Sequence, residues 1–432
     1  MSPKTVIKKF IPKKLFRHVA PYWHWLNAVR AQKMYGFPAR DLNIIGVTGT
    51  DGKTTVSTLI AHMLRTNGYK VGLMTTVSVD YADGKGEHVN PTNLTTGNAY
   101  QVAQIMRKIK NNRADWLVLE TSSHALDQRR VWGIPFAIAV HTNMSPEHLD
   151  YHGTFENYRT AKQRLFKLCN NNTQGLRTGI INADDATAEY FASDIDNPIL
   201  YGIKKGTLKA TNIKSGLHGN TFDVAYDGQT YHIHTNLIGE FNIYNSLAAL
   251  GVGISVGLSP KQIEKGIDSL KHISGRMMPL DEGQNFKVFI DYAVTPGALK
   301  HVLESVRSLI STGTIHLVFG ATGDRDTLKR PVMGKIAGEL ADYVYLTDDE
   351  TYTEDPSAIR KAVYEGVGKK DQHKVQIIED RREAIRLALA HAKSGDVVLI
   401  TGIGHQTSRN MGGKKQSWSD IKVTKTLLKA TK

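Results

Sequence analysis

GVTGTDGKTT, Gly46–Thr55, is a glycine-rich stretch that runs into Lys-Thr-Thr. The residues before it, Asn43–Val47, form a short apolar run, and those after it place Leu59 and Met63 on one helical face, with Gly68 as a stop. The segment reads strand, loop, helix. A glycine loop at a helix N-terminus offers backbone N–H groups to an anion. Lys53 can reach terminal phosphates and Thr54 can ligate Mg²⁺. The general phosphate-loop pattern G-x-x-x-x-G-K-[ST] is nonetheless broken, because Val47 stands where its first glycine belongs. An ordinary strand-to-helix turn is the alternative, but such a turn has no need of Lys-Thr-Thr at the helix start.

Working outward, ADWLVLETSS and FAIAVHTNMS are two further buried strands that end in polar residues. Strands alternating with helices imply an α/β protein with a mainly parallel sheet covered on both faces, and functional residues at the C-terminal strand ends. Residues 200–235 differ. They alternate, carry Gly-Asn and Asp-Gly turns, and predict antiparallel hairpins. A helix follows over about 242–257, and SGRMM (274–278) marks a junction. FKVFIDYA, TIHLVFGATGD, DYVYLTDDE and DVVLITGIGH then supply four strands of a second, Rossmann-like α/β domain. The expected division is a basic N-terminal arm (1–40), a phosphate-loop central domain (41–275) and a C-terminal domain (276–432).

A chain of 432 residues exceeds one core. Its single cysteine, Cys169, excludes an internal disulfide and a multi-cysteine metal site, and suits a cytoplasmic location. No stretch of about 18 apolar residues predicts a membrane span, and no secretory leader is read at the N-terminus. The net charge of +14 is unevenly placed: residues 1–40 hold nine Lys/Arg and no Asp or Glu. That arm reads first as the solvated basic face of a packed helix; a peripheral contact with an anionic membrane is the alternative. Outside it the charge is modest and no aromatic-basic nucleic-acid motif occurs, so no nucleic-acid partner is expected.

Glu120 ends the second strand, where a carboxylate beside a phosphate loop is the expected second anchor for Mg²⁺; an incidental acid ahead of a helix is the alternative. His148 lies in TNMSPEHLDYHG, whose two histidines and aspartate leave a metal or phosphate role and a plain hydrogen-bonding role both open.

Together these residues resemble the Mur ligases, ATP-dependent amide-bond-forming enzymes whose loop reads T-G-T-[ND]-G-K-T. The resemblance is strongest to the member that adds a diamino acid to UDP-N-acetylmuramoyl-L-alanyl-D-glutamate. It is carried by ETSSHALDQRRV, TNMSPEHLDYHGTFENYRTAKQRLF, GEFNIYNSLAAL, SGRMM, DYAVTP and GDRDTLKRPVMG, over residues 44–413. It implies ATP and Mg²⁺. Thr50, Asp51, Gly52, Lys53, Thr54 and Thr55 would hold the phosphates, and Asn242 and Asn245 the adenine side. Arg276 and Asp291 would reach phosphate and ribose, and Lys329 and Arg330 fall in a phosphate-side segment. Thr54, Glu120, His148 and Lys162 would hold metal. Lys162 matches a lysine that is carbamylated in the family; read by itself it is an ordinary helix-surface lysine. Lys53, Lys162, His148 and Arg276 would be the catalytic set. Thr95, Thr96, Ser123, Gln128 and Arg130 match residues that grip the muramoyl dipeptide. The implied enzyme is monomeric and works by an acyl-phosphate.

Three departures stand out. The family's N-terminal uridine-binding domain is expected to be missing, since the loop starts at residue 46. The acceptor motif D-N-P-R reads Asp349-Glu350-Thr351-Tyr352, and G-K-G-H-E ends in Gln406, so two acceptor contacts change; Tyr352 cannot replace a bidentate guanidinium. Asp348, Asp349, Glu350, Glu354 and Asp355 remain as an acidic cluster that could attract a cationic acceptor such as lysine, or be a solvated turn. Third, Val294 replaces a histidine of DYAVTP. The competing readings are a folylpolyglutamate- or poly-γ-glutamate-type ligase, a degenerate membrane-associated homologue and a nucleic-acid ATPase.

Overall fold

The structure, a computed structural model, describes residues 13–430 apart from Asn93 and Ser311, with side chains from Tyr22 onward. The chain forms two compact units. One holds the residues up to Ile213 together with Thr221–His234 and Ile243–Leu270; the other holds Lys214–Asn220, Thr235–Asn242 and Lys271 onward.

The first unit is built on nine strands: β1 (Asn43–Thr48), β2 (Val71–Met74), β3 (Ser78–Asp80), β4 (Glu87–Val89), β5 (Trp116–Glu120), β6 (Phe136–His141), β7 (Thr178–Asn182), β8 (Asn197–Gly202) and β9 (Leu208–Lys209). Their order is β4-β3-β2-β5-β1-β6-β7-β8-β9. All neighbours run parallel except the β2-β3 and β3-β4 pairs. The two-sided cover explains why β5 and β6 are apolar at nearly every position: both are buried end to end. Val47 pairs with Glu120 and Thr48 with His141, so the C-terminal ends of three neighbouring strands share one level. The chain leaves β1 toward one edge of the sheet and reaches β6 on the other side, a switch point of the kind where α/β sheets bind ligands.

Two helices bring side chains to this level of the sheet. Lys53–Thr66 starts directly after the loop. Phe155–Asn170 is capped by the Thr154 hydroxyl, which accepts from Asn157 N–H, and it buries Tyr158, Ala161, Lys162, Leu165, Phe166 and Cys169. That spacing is a single helical stripe. Lys162 therefore lies on the apolar face, which corrects its reading as a surface lysine.

The hairpin expectation for residues 200–235 needs a correction as well. Tyr201 and Leu208 belong to β8 and β9, parallel strands of the main sheet. Only β10 (Thr211–Gly216), β11 (Gly219–Tyr226) and β12 (Gln229–Thr235) form the separate three-stranded sheet. The Asp227-Gly228 turn has both residues at positive φ, 50° and 70°, which matches the twist of a two-residue hairpin. The predicted helix near 242–257 is observed at Phe241–Val256.

The second unit carries a six-stranded sheet ordered β13 (Met278–Pro279), β14 (Lys287–Asp291), β18 (Val397–Thr401), β15 (Ile315–Phe319), β16 (Tyr343–Leu346) and β17 (Val375–Ile377). Only the β13-β14 pair is antiparallel. A small hairpin, β19 (Ser408–Met411) with β20 (Lys414–Ser417), follows β18. Apolar residues on both faces of the sheet are buried, including Phe289, Leu317 and Leu399 on one side and Val288, Val318 and Ile400 on the other.

Candidate active site

Strand β1 ends at Thr48 and the helix begins at Lys53, so the loop is only Gly49–Gly52. Val47 is a fully buried strand residue, and that is why no glycine is needed there. The glycines are needed inside the loop. Gly49 has φ 149°, and a Cβ there would lie 1.8 Å from the Thr142 hydroxyl; Gly52 has φ 80°, and a Cβ there would lie 2.7 Å from Asn245 Oδ1. The loop is held from the β6 side. Thr50 N–H donates to the Asn143 carbonyl at 2.8 Å, Asp51 N–H to Asn143 Oδ1 at 2.9 Å, and the Thr142 hydroxyl to the Asp51 carbonyl at 2.6 Å. Thr50 Oγ1 meets the Tyr158 hydroxyl at 3.2 Å. These bonds hold the loop against the end of β6 at the start of the helix. Lys53 Nζ donates to the Thr50 carbonyl at 2.7 Å, and Thr54 and Thr55 are buried.

Glu120, at the end of β5, is 1% exposed. Its Oε2 accepts from the Thr54 hydroxyl at 3.0 Å and from Thr76 N–H at 2.8 Å, and its Oε1 accepts from the Thr76 hydroxyl at 3.0 Å. Carboxylate and hydroxyl meet at the phosphate loop, a hard-oxygen pair of the sort Mg²⁺ takes alongside substrate phosphates. Among the described residues no three His, Cys, Asp or Glu side chains cluster to hold a metal by themselves. The donor set fits an ion that draws most of its ligands from phosphate and water.

Lys162 is 1% exposed; Nζ donates to the Gly49 carbonyl and sits 4.7 Å from the Tyr158 ring. Burial, and then the charge of Lys53, hold its amine well below the usual lysine range. His148 is at positive φ, 55°, with its ring edge-on to His124 at 4.8 Å and Nε2 3.8 Å from Glu147. Burial lowers its pKa. His124 also stacks near Tyr151 and His152, and burial with the neighbouring imidazoles lowers it to about 4.

The residues matched to substrate grip lie around the same strand ends. Thr95 Oγ1 lies 3.0 Å from Thr76 Oγ1. Thr96 Oγ1 donates to the Glu120 carbonyl at 2.9 Å and accepts from Ser122 N–H at 3.0 Å. Ser123 Oγ meets His152 Nε2 at 3.1 Å. Gln128 Oε1 accepts from Arg130 Nε at 2.8 Å, and Arg130 also donates to the Thr96 carbonyl at 3.1 Å. Asn245 belongs to this unit through its place beside Gly52.

The second unit holds the other candidates. Asn242 Nδ2 donates to the Ile238 carbonyl at 2.7 Å. Arg276 stacks 5.2 Å from the Tyr292 ring, which itself packs on His405 at 5.0 Å. Burial pushes Asp291 up to about 6, opposed by Arg276 and by the Met277 N–H, which donates to Oδ2 at 2.7 Å. Lys329 Nζ donates to the Val294 carbonyl at 2.9 Å. Arg330 is placed differently from its expected phosphate-side role. It is buried and bidentate to Glu354, 2.6 Å on each branch, with a further bond to the Thr322 carbonyl at 3.2 Å. That makes it a clamp on the fold.

The acidic cluster read at residues 348–355 also comes apart. Asp348 pairs with Arg360, Glu354 with Arg330, and Asp355 caps the helix Pro356–Tyr364. Asp349 is 3% exposed and burial raises it to about 6, opposed by Arg381. Glu350 remains, accepting from Asn410 N–H at 3.1 Å and weakly from the Tyr352 hydroxyl at 3.4 Å. Tyr352 has φ 48°, and the Arg325 guanidinium stands 5.6 Å from its ring. Gln406 is half-buried in the turn after β18, its N–H on the Ile403 carbonyl at 3.1 Å.

Sequence reasoning missed Thr76, Tyr158, Asn143 and Arg325. Thr76 follows VGLM, a four-residue apolar run too short to be picked out as a strand. Tyr158 shares the inward stripe of Lys162, which its spacing would have disclosed.

Comparison with known proteins gives the family. The Mur ligase middle domain family matches residues 47–253, and the Mur ligase glutamate ligase domain family matches residues 275–404. The UDP-N-acetylmuramoyl-L-alanyl-D-glutamate–2,6-diaminopimelate ligase of Syntrophomonas wolfei is 38% identical over 404 residues, covering 93% of this chain and 81% of that protein. The enzyme of the same name from Bacillus licheniformis is 39% identical over 402 residues, covering 92% and 81%. A solved structure of a ligase of this name superposes with a TM-score of 0.65 at 31% identity, over 96% of this chain and 83% of the other. The Mycobacterium tuberculosis folylpolyglutamate synthase in complex with ADP shares the fold, with a TM-score of 0.71 at 17% identity over 88% and 92%. The chain belongs to the Mur ligase family of ATP-dependent amide-bond-forming enzymes.

Proposed function

We infer that the protein joins a diamino acid, of the diaminopimelate or lysine class, to the D-glutamate carboxylate of UDP-N-acetylmuramoyl-L-alanyl-D-glutamate, at the expense of ATP. The observation that carries this reading is the Thr54–Glu120 pair at the end of the phosphate loop, beside Lys53 and buried Lys162. The family relatives name the same reaction for themselves.

The substrate carboxylate attacks the γ-phosphorus of ATP, giving an acyl-phosphate and ADP. The acceptor amine then adds to the acyl carbon, and the tetrahedral adduct expels inorganic phosphate. The first step brings two anions together, and Lys53, fixed by its bond to the Thr50 carbonyl, offsets that repulsion at the transferred phosphoryl group. Thr54, Glu120 and His148 would hold Mg²⁺, whose charge would further screen that repulsion. Burial favours the neutral amine of Lys162 that carbamylation requires: its nitrogen adds to CO₂, a proton leaves to water, and a carbamate takes the place of the free amine. That carbamate would be a further metal ligand. Thr96 and Arg130, tied to β5 by the Glu120 carbonyl and to each other, would orient the muramoyl peptide. Arg276 and Asp291 of the second unit are proposed to contact the nucleotide.

The acceptor is proposed to meet Glu350, Tyr352 and Arg325. Tyr352 brings no fixed charge, so any carboxylate clamp falls to Arg325. Purified protein incubated with ATP, Mg²⁺ and the UDP-muramoyl dipeptide should release phosphate and gain product mass with a diamino acid and not with glutamate. Glutamate as the preferred acceptor would move the protein to a polyglutamate ligase.

A further inference from the structure

The N-terminal helix, Lys13–Met34, has two contrasting faces. Ala28 and Ala31, 1% and 0% exposed, pack on Ala99 and Ala103 of the helix Ala99–Asn111. Trp25 meets Trp132 edge to face at 6.2 Å beside them. The small residues let the two helix backbones approach, and this half of the helix is a fixed part of the first unit. On the far side stand Tyr22 (65% exposed), Trp23 (53%), Leu26 (41%) and Met34 (68%), with Arg30 and Lys33 also exposed. At about 100° per residue these six fall in one arc of about 120° that excludes both packed alanines. A solvated helix face places charged residues there; this one places two aromatic rings, a leucine and a methionine around two cations.

The charge says what covers it. Residues 1–40 carry nine Lys/Arg and not one acidic residue, and the helix has no acid in its first turn. An apolar arc interspersed with cations, with tyrosine and tryptophan toward its borders, is the chemistry of a helix lying in a bilayer interface. We propose that this face docks the protein on an anionic lipid bilayer, with Trp23, Leu26 and Met34 entering the headgroup boundary and Arg30 and Lys33 meeting lipid phosphates. No helix among the described residues is long and apolar enough to cross a membrane, so the contact is peripheral. It would keep a ligase that handles small soluble substrates close to a membrane surface.

Co-flotation of the full-length protein with vesicles tests this, using phosphatidylcholine alone and phosphatidylcholine with 30 mol% phosphatidylglycerol. The protein should float with the anionic vesicles only, release as salt is raised, and show blue-shifted tryptophan emission. W23S/L26S should abolish flotation, and R30Q/K33Q should weaken it about 30-fold, at roughly fivefold per cation near an anionic surface. Both variants should keep the wild-type circular dichroism spectrum and ligase rate without vesicles, since the six residues are exposed. No binding to anionic vesicles, equal binding to neutral ones, or binding that survives both variants overturns the proposal. Concentration-dependent self-association that W23S/L26S removes, without vesicle binding, would instead make the face a contact between two copies of this chain.

Discussion

Replacing Glu120 with Gln keeps the side chain's shape and removes its charge. In the folded protein the carboxylate accepts three hydrogen bonds: the Thr54 hydroxyl and Thr76 N–H on one oxygen, and the Thr76 hydroxyl on the other. The amide oxygen can keep the first two. The amide nitrogen would then face the Thr76 hydroxyl, which has to stop donating to it and rotate to accept. One bond changes direction and two lose charge assistance, a stability cost of about 1–2 kcal/mol. The rate effect is larger. Glu120 acts through the Mg²⁺ it would anchor, and loss of that preorganised positive charge at a developing anion costs about 10²–10³ in rate, or roughly 3–4 kcal/mol. The expectation is therefore a folded enzyme, melting a few degrees lower, with kcat down at least about 100-fold and a Mg²⁺ titration shifted to higher concentration. The assay is dipeptide-dependent phosphate release across a Mg²⁺ titration, with thermal melting alongside. A variant within about threefold of wild type, with an unchanged Mg²⁺ dependence, would refute the role given to Glu120.

Other outcomes rest on the same structure. Lys53→Ala should abolish turnover and leave the melting temperature nearly unchanged, because Lys53 makes one local bond to the Thr50 carbonyl. Lys162→Arg should be inactive, and the wild-type enzyme should lose activity in CO₂-depleted buffer and regain it on adding bicarbonate; indifference to CO₂ would leave Lys162 as an amine. Asp420→Asn should destabilise the second unit by about 3–5 kcal/mol in denaturant unfolding, because it strands the fully buried Arg381, whose Nε and Nη2 sit 2.9 and 2.7 Å from Asp420. His124, lowered to about 4, binds fewer protons folded than unfolded below pH 6.5, so stability is lost as pH falls from 6.5 toward 4. His124→Gln should show a shallower fall of melting temperature across that range.

Much of the fold was legible because period and punctuation agreed. The runs of β5 and β6 are uniformly apolar and end in polar residues, which only a strand covered on both faces requires. The loop was legible because Lys53 and Thr54 carry their chemistry in adjacent positions. What stayed hidden depended on contacts distant in sequence. Thr76 becomes important only when β2 lies beside β5 and brings its hydroxyl to Glu120, 44 residues on. Arg330 falls in the segment GDRDTLKRPVMG that the resemblance places on the phosphate side, yet its guanidinium is bidentate to Glu354. The acidic run at 348–355 looked like one surface, yet its members point to Arg360, Arg330, a helix end and the interior by turns. Charge in sequence does not reveal which partner already neutralises it. Lys162 was partly readable: its place on a stripe with Tyr158, Leu165 and Phe166 marks it as buried.

The most direct test of the reaction follows oxygen. With ¹⁸O in the D-glutamate carboxylate of UDP-N-acetylmuramoyl-L-alanyl-D-glutamate, attack on ATP puts one labelled oxygen in the bridge of the acyl-phosphate. When the amine expels phosphate, that oxygen leaves with it. Mass spectrometry of the released phosphate should find one ¹⁸O per molecule and the amide product retaining the other. Unlabelled phosphate, formed by water attack on ATP while the carboxylate keeps both labels, would contradict the account.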